Sequence, residues 1–475
     1  MSVVAVDQGT TSTKALLIEA DGTSRLLGTF KHQQILPRPG WVEHNAAELL
    51  ANVREAIALG VSAGATSVAL DNQGETVVAW DKTDGTPLCN AIVWQDQRTS
   101  VAIETLRAAG HDSEVTARSG LPLDAYFSAS KLRWILDHVP RARELARRGE
   151  LGLGTSDSYF LHQLTGRYVT DLTTAARTSL MNLEACAWDE RLCTLFDVPM
   201  DLLPEIIECD QPVGELPAGD RNLTLGAAIV DQVASLYGHG CRKPGDLKAT
   251  FGTGAFALMI SNGRPSVPGT VATVGWGGPS HRTYAVDGGV YTAGAAIEWL
   301  SRIGLLNDVA ELDALPAGPA IEKGICFVPA LAGLACPHWD RTASGLWLGI
   351  DNATGREDLI KAVLEGIAFR MAEVLDALAA GGEPQGLISV DGGLTGSRYF
   401  LQFFANVAKR PIAVPGNPDL TAYGAGLLAA RGSIPANLGL EVTVEPQPGN
   451  AGAWRDRFTD ARLRSSGWRR DEAAT

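Results

Sequence analysis

Val3-Val4-Ala5-Val6-Asp7-Gln8-Gly9-Thr10-Thr11-Ser12-Thr13-Lys14, followed by Ala15-Leu16-Leu17-Ile18, opens the chain. The unbroken apolar run Val3–Val6 predicts a buried strand and Ala15–Ile18 its return, with Asp7 to Lys14 as a polar turn between them. Asp21-Gly22 is a second hairpin signal and Leu26–Phe30 a third strand, so the chain begins as a three-stranded meander. The first bend is chemically loaded. Gly9 permits a tight turn whose amides converge on an anion, and Thr10, Thr11 and Ser12 add hydroxyl donors. Lys14 adds a point charge suited to phosphate, and Asp7 a carboxylate able to hold Mg²⁺ through water. An ordinary polar hairpin turn is the alternative for this segment alone.

The second half begins the same way. After the Gly/Pro-punctuated stretch Gly238 to Gly245, Ala249–Phe251 reads as a strand, Gly252-Thr253-Gly254 as a tight turn and Phe256–Ile260 as the returning strand. The repeated strand, Gly-Thr turn and strand predicts duplication of one α/β unit, with residues 1–240 and 241–475 as the two domains. Gly252 to Ala257 also fits G-x-G-x-x-A. A dinucleotide site needs a helix next, though, and a strand follows, so the turn is read as a phosphate-facing hairpin. No G-x-x-x-x-G-K-[ST] occurs.

Helices are marked by their ends. Asn45 and Glu48 have capping-box spacing before Leu49, Val53 and Ile57, with Gly60 as the expected stop. Thr354 and Glu357 predict a second box before a long stripe from Ile360 to Leu378, ended by Gly381-Gly382. Val68–Leu70 and Val77–Trp80 read as strands, and Val390 to Ser397 as a strand entering a glycine turn that lets backbone approach a flat ligand. Asp231-Gln232 follows the apolar Ala227–Val230. A carboxylate at such a terminus either accepts a hydroxyl proton or caps a helix.

Composition narrows the classes. Acidic residues outnumber basic ones 54 to 40 in 475 residues, a net charge of −14, which excludes a nucleic-acid backbone binder but not a small neutral substrate. The seven cysteines form no Cys-x-x-Cys pair, so zinc is not expected and the thiols read as buried in a reducing compartment. Met1–Val6 is too short for a signal peptide, and Phe327–Cys336 is far below a membrane span. A soluble cytoplasmic protein is expected, with neither nucleic acid nor membrane as partner.

In order along the chain, these motifs resemble the FGGY family of carbohydrate kinases, and within it the glycerol kinases most closely. The resemblance rests on Asp7–Lys14, Gly40-Trp41-Val42-Glu43-His44, Asn72-Gln73-Gly74-Glu75-Thr76 and Ala91-Ile92-Val93-Trp94-Gln95-Asp96. It continues through Asp231-Gln232, Phe251-Gly252-Thr253-Gly254, Gly294 to Leu300, Phe327 to Asp340 and Asp391-Gly392-Gly393. It implies two ribonuclease-H-like domains of the actin and hexokinase type around a central cleft, with polyol on the first and Mg²⁺-ATP on the second. It also implies a small polyol or sugar as substrate and a homo-dimer or homo-tetramer as assembly. Carried over by position, Asp231 resembles the catalytic base, and Gly74, Glu75, Trp94, Tyr126, Asp231, Gln232 and Phe256 the polyol pocket. Thr10, Thr11, Ser12, Lys14, Thr253, Gly294, Glu298, Gly393 and Ser397 resemble nucleotide contacts, and Asp7 the metal anchor.

Three departures stand out. Gly74 stands where the glycerol kinases carry a hydroxyl-binding arginine. Either the vacated volume admits a longer polyol, or another base such as Arg98 or Lys131 reaches in. Lys14 replaces an arginine in the first phosphate turn. The glycine-rich effector loop is shortened to Asp220-Arg221-Asn222-Leu223-Thr224, so inhibition by a sugar bisphosphate there is not expected.

Overall fold

Apolar runs separated by glycine turns fold twice into the same mixed sheet. The structure, a computed structural model, describes residues 1–218 and 221–469. The first sheet has the order Gly214–Ala218, Arg221–Val230, Ser67–Asn72, Val3–Gln8, Ser12–Ile18, Ser24–Lys31. Its last three strands are the antiparallel meander read from the sequence. Ser67–Asn72 and Arg221–Val230 then add in parallel, and Gly214–Ala218 closes the edge antiparallel. The second sheet repeats this plan. Leu247–Phe251, Ala255–Ser261 and Tyr284–Val290 form the meander, Ile388–Gly392 and Ile412–Pro415 are the parallel pair, and Leu440–Val444 is the antiparallel edge. Val271–Val274 is an extra strand outside the repeat.

The parallel strands of each sheet end together. Gln8 is in register with Asn72, and Asn72 with Val230, so the segments after all three strands emerge along one edge. Phe251 is likewise in register with Gly392. The residues read as functional, Gly9 to Thr10, Gly74-Glu75 and Asp231 on one side and Gly252 to Gly254 and Gly393 on the other, sit at these carboxyl ends, where α/β sheets bind ligands.

Several local expectations are corrected. The first turn is shorter than read. Asp7 pairs with Lys14 and Gln8 with Thr13, because a backbone ladder extends through polar residues as readily as apolar ones. The first helix is capped by Asn45 as expected, through the amides of Ala47 and Glu48, but runs on to Ser62. Gly60 is an interior residue whose absent side chain makes room for Val4, and the left-handed glycine is Gly64. The long helix is Arg356–Ala379; Asp358, not Glu357, reaches back, and to the amide of Gly355 rather than Thr354, while the Thr354 hydroxyl accepts from the Asp351 amide. Residues 219 and 220 and the Arg221 side chain, on which the effector-loop expectation partly falls, lie outside the described residues. The seven cysteines are free thiols, five of them buried, so no disulfide framework supports the fold. Among the described residues no helix is long and apolar enough to cross a membrane.

Two helices join the halves. Asp231–Gly238 continues directly from the end of Arg221–Val230, and Leu420–Ala430 comes from the second half. Both bury side chains in one core with Val3, Ala5, Ala69 and Ile229 of the first sheet and Leu258 and Ile260 of the second. Their backbones nearly touch. A Cβ on Gly238 would lie 1.9 Å from the Leu420 carbonyl oxygen, and one on Gly424 1.9 Å from that of Ala234. This contact fixes the helix that begins with Asp231.

Gly424→Ala therefore forces two backbones apart and should destabilise the protein by about 1–3 kcal/mol or more. Gly452→Ala, at an exposed position of the helix Ala451–Ser465 with nothing within 4 Å of the added carbon, is the control and should be neutral or slightly stabilising. Urea unfolding of both variants checks this; equal stabilities would contradict it.

Candidate active site

All seven residues read as the polyol pocket line one cavity of about 150 Å³, together with Thr10, Thr250, Gly252, Thr253 and Gly254. The wall is aromatic on one side. The Trp94 ring lies 5.5 Å from Tyr126 and 6.3 Å from Phe256, both edge-on. Trp94 is held by its indole N–H, which donates to the Thr10 hydroxyl at 2.9 Å. The opposite wall is polar: Glu75, Asp231 and Gln232. A larger cavity of about 820 Å³ shares Trp94 and Tyr126 and runs outward between Gln95 of the first half and Arg341 of the second.

Asp231 begins its helix, and its Oδ1 accepts from the Gln232 amide at 2.6 Å. Burial pushes its carboxyl up to about 7, helped by the charges of Glu75 and Asp7 and opposed by the Gln232 amide and Lys248. Lys248 is fully buried and donates to Gln232 Oε1 at 2.8 Å and to the Thr250 hydroxyl at 3.1 Å. An ammonium only donates, so the Gln232 amide oxygen is committed inward and its NH₂ remains the donor available to the cavity.

Asp7 adjoins Asp71, which is wholly buried and has no hydrogen-bond partner on either oxygen. Burial raises both carboxyls, Asp71 the more, because Asp7 adds its charge. Two orphaned hard-oxygen donors fit a divalent cation. Among the described residues no group of three His, Cys, Asp or Glu side chains comes together to hold a metal. A cation here would take at most two carboxylates and complete its shell with water and phosphate, the habit of Mg²⁺.

The space beside Gly74 is not vacant. A Cβ on Gly74 would lie 2.8 Å from Val230 Cγ2 and 3.7 Å from Arg177 Cγ. Neither Arg98 nor Lys131 reaches in. Arg98 is bound by Asp96 and Glu43 and stacks 3.7 Å from the Trp41 ring centroid, while Lys131 donates to the carbonyls of Ala125 and Tyr126. The guanidinium at the site is that of Arg177. Its Nε donates to Glu75 at 2.6 Å and its NH1 to Asp287 at 2.9 Å, with all three side chains at most 5% exposed. Burial raises the carboxyls of Glu75 and Asp287, and the guanidinium between them pulls each back down. Glu75 itself is left-handed, φ 55°, a conformation that costs a non-glycine residue about 1–3 kcal/mol and persists where surroundings over-determine it. The Arg177 pair and a bond from Ser128 to its carbonyl do so here. Sequence reasoning missed Arg177, Asp287 and Lys248. The signal available for the last two was a lone charge inside an otherwise apolar or glycine-rich strand.

The residues read as nucleotide contacts do not all share one cavity. Thr253, Gly294, Glu298 and Gly393 line a second cavity of about 510 Å³, which shares Gly252 and Thr253 with the first. Ser397 lines an adjoining cavity with Gly393, but its hydroxyl is engaged, donating to the Leu312 carbonyl and accepting from the Phe400 amide as a helix cap. Thr10 lines the 150 Å³ cavity, whereas Thr11, Ser12 and Lys14 line neither that cavity nor the 510 Å³ one. The Lys14 ammonium pairs with Asp419 of the second half at 2.7 Å and remains 34% exposed.

Comparison with known proteins agrees with this geometry. Residues 2–230 match the N-terminal domain of the FGGY family of carbohydrate kinases and residues 247–433 its C-terminal domain. A glycerol kinase of Trichlorobacter lovleyi is 39% identical, covering 99% of this chain and 93% of the relative. The crystal structure of Plasmodium falciparum glycerol kinase with ADP superposes with a TM-score of 0.89 at 27% identity, covering 98% of both chains. A xylulose kinase from Rhodospirillum rubrum gives 0.82 at 25% identity over 97% of each. The chain belongs to the FGGY family of carbohydrate kinases.

Proposed function

We propose that this carbohydrate kinase transfers the γ-phosphoryl group of ATP to a terminal hydroxyl of glycerol or a closely related small polyol, with Asp231 as the base. The observation that carries the reading is the 150 Å³ cavity in which Asp231, Glu75, Gln232 and three aromatic rings converge beside the Gly252–Gly254 turn. The rings offer flat apolar faces to a carbon chain, and Glu75 and Asp231 accept hydrogen bonds from its hydroxyls. The acceptor hydroxyl gives its proton to Asp231 as its oxygen attacks phosphorus in line with the departing ADP oxygen. The second cavity, floored by backbone at Gly252, Gly294 and Gly393, is the place for the nucleotide, which puts acceptor on the residue 1–240 side and ATP on the 241–475 side. Mg²⁺ held at Asp7 with Asp71 would neutralise phosphate charge. The close relation to glycerol kinases favours glycerol over a ketopentose. A cavity of about 150 Å³ supports the same choice, being of a size for a short carbon chain.

Asp231→Asn should preserve ADP binding and lower kcat by about 10²–10⁴-fold, the usual worth of a general base. Less than a threefold loss in a coupled ADP-release assay would remove Asp231 from that role. Thr253→Val should raise the KM for ATP more than that for polyol; the opposite ratio would reverse the assignment of the two cavities. The base must be ionised to act, and its pKa is raised to about 7. kcat/KM for the acceptor should therefore climb about tenfold per pH unit below 7 and level off above it. A flat profile between pH 5.5 and 8.5 would contradict this.

A further inference from the structure

The acceptor cavity departs from the family pattern at one point, and the structure contains two features that answer it. Residue 74 cannot carry a side chain while Val230 Cγ2 occupies the space 2.8 Å from where its Cβ would stand. Val230 is 2% exposed and β-branched, and its backbone is fixed from two sides. It is in register with Asn72, and its amide donates to the Thr173 hydroxyl at 2.8 Å. Thr173 lies in the helix Leu172–Ala175, capped by Asp171, and Arg177 follows two residues after that helix ends. One buried turn of helix thus delivers both Val230 and Arg177 to the two sides of the missing side chain.

Arg177 does not line the acceptor cavity. It lies behind Glu75 and spans to Asp287 of the second sheet. Its effect on an acceptor therefore passes through the Glu75 carboxylate, which it pairs with and orients. With Arg177 committed to two carboxylates and Lys248 to Gln232 and Thr250, the nearby cations are turned away from the acceptor. Glu75 and Asp231 are the charged groups that face it.

We propose that Val230 and Arg177 together determine the acceptor: Val230 limits its length by filling the volume beside Gly74, and Arg177 is a positioning residue that presents Glu75 to its hydroxyls. The class of acceptor follows. It is neutral and hydrogen-bond-donating, and sugar acids are rejected because a carboxylate would face Glu75 and Asp231 with no lysine or arginine among the described residues that line the cavity. This rests on the acceptor-kinase reading above.

The test measures kcat and KM for glycerol, erythritol and glycerate in wild type, Gly74→Arg, Val230→Ala, the double variant, Arg177→Met and Arg177→Lys. Titration with a fluorescent ADP analogue follows the nucleotide side separately. Gly74→Arg alone should raise the glycerol KM about tenfold or more, and adding Val230→Ala should recover most of that loss. Val230→Ala alone should shift the erythritol-to-glycerol ratio of kcat/KM upward by about fivefold or more. Arg177→Met should raise the acceptor KM about tenfold or more with ADP affinity within about twofold, and Arg177→Lys should fall between it and wild type. The inference is overturned by a Gly74→Arg defect that Val230→Ala does not relieve, or by an unchanged ratio in Val230→Ala. Equal loss of acceptor and nucleotide binding in Arg177→Met, or glycerate used as well as glycerol, would also overturn it. Wild type that phosphorylates no polyol at all would instead sink the acceptor reading itself.

Discussion

The buried bridge Glu75–Arg177–Asp287 is the interaction around which the rest of the site is arranged. Three charges at most 5% exposed meet at 2.6 and 2.9 Å. Such a triad is weak evidence of net stability, since desolvating three ions offsets much of their attraction. Its importance is conditional. Once Arg177 is inside, both carboxylates must be there, because losing either leaves an uncompensated buried charge, a loss of about 3–5 kcal/mol. Glu75 comes from the end of a first-sheet strand and Asp287 from a second-sheet strand. The bridge therefore ties one sheet to the other behind the cavity wall at Glu75, and holds Glu75 in a backbone conformation it would not adopt unaided.

A second constraint follows from topology. Three parallel strands ending in register bring Asp7, Asp71 and Asp231 toward one edge, and no arrangement of those strands separates them. Burial first, and then the charges of Glu75 and Asp7, raise the Asp231 carboxyl to about 7, where a group can both take and release a proton near neutrality. The cost of this crowding is relieved by buried Lys248 and, on the proposed reading, by a divalent cation and the acceptor's own hydroxyls. The acidity of the chain as a whole, −14, has little to do with it: these carboxylates act at contact range, while surface charge is screened within about 10 Å.

Much of this was legible in the sequence because it is local. Strand, glycine turn and strand in each half predicted the first meander and the opening hairpin of the second, and the step from apolar Val230 to Asp231 marked the terminus of an element. The seven residues carried over by position do line one cavity. What was not legible depends on pairs far apart in the chain. Arg177 meets Glu75 across 102 residues and Asp287 across 110, and Lys14 meets Asp419 across 405. Nothing in the neighbourhood of any of these residues announces its partner. Gly74 misled in a different way. A glycine in place of a large side chain reads as lost volume, and only the position of Val230 reveals that the volume is filled. Gly60 misled likewise, as a helix stop rather than a place for Val4.

The duplication explains why one plan serves two tasks. Both sheets present the carboxyl ends of the same parallel strands to the cleft, so the difference lies in what those ends carry. In the first sheet they carry side chains: Asp7, Asp71, Glu75 and Asp231. In the second they are stripped to backbone, and packing enforces it. A Cβ on Gly392 would lie 2.3 Å from the Phe251 carbonyl oxygen, one on Gly294 2.6 Å from that of Gly252, and one on Gly254 2.9 Å from that of Val290. A surface of bare amides suits a polyanion, which needs many donors at close range. A surface of carboxylates suits a neutral polyol, which needs acceptors and a base. On the proposed reading, the two decorations placed face to face around Thr253 and Asp231 put a phosphoryl donor against a hydroxyl, and exchanging them would give neither ligand a place to bind.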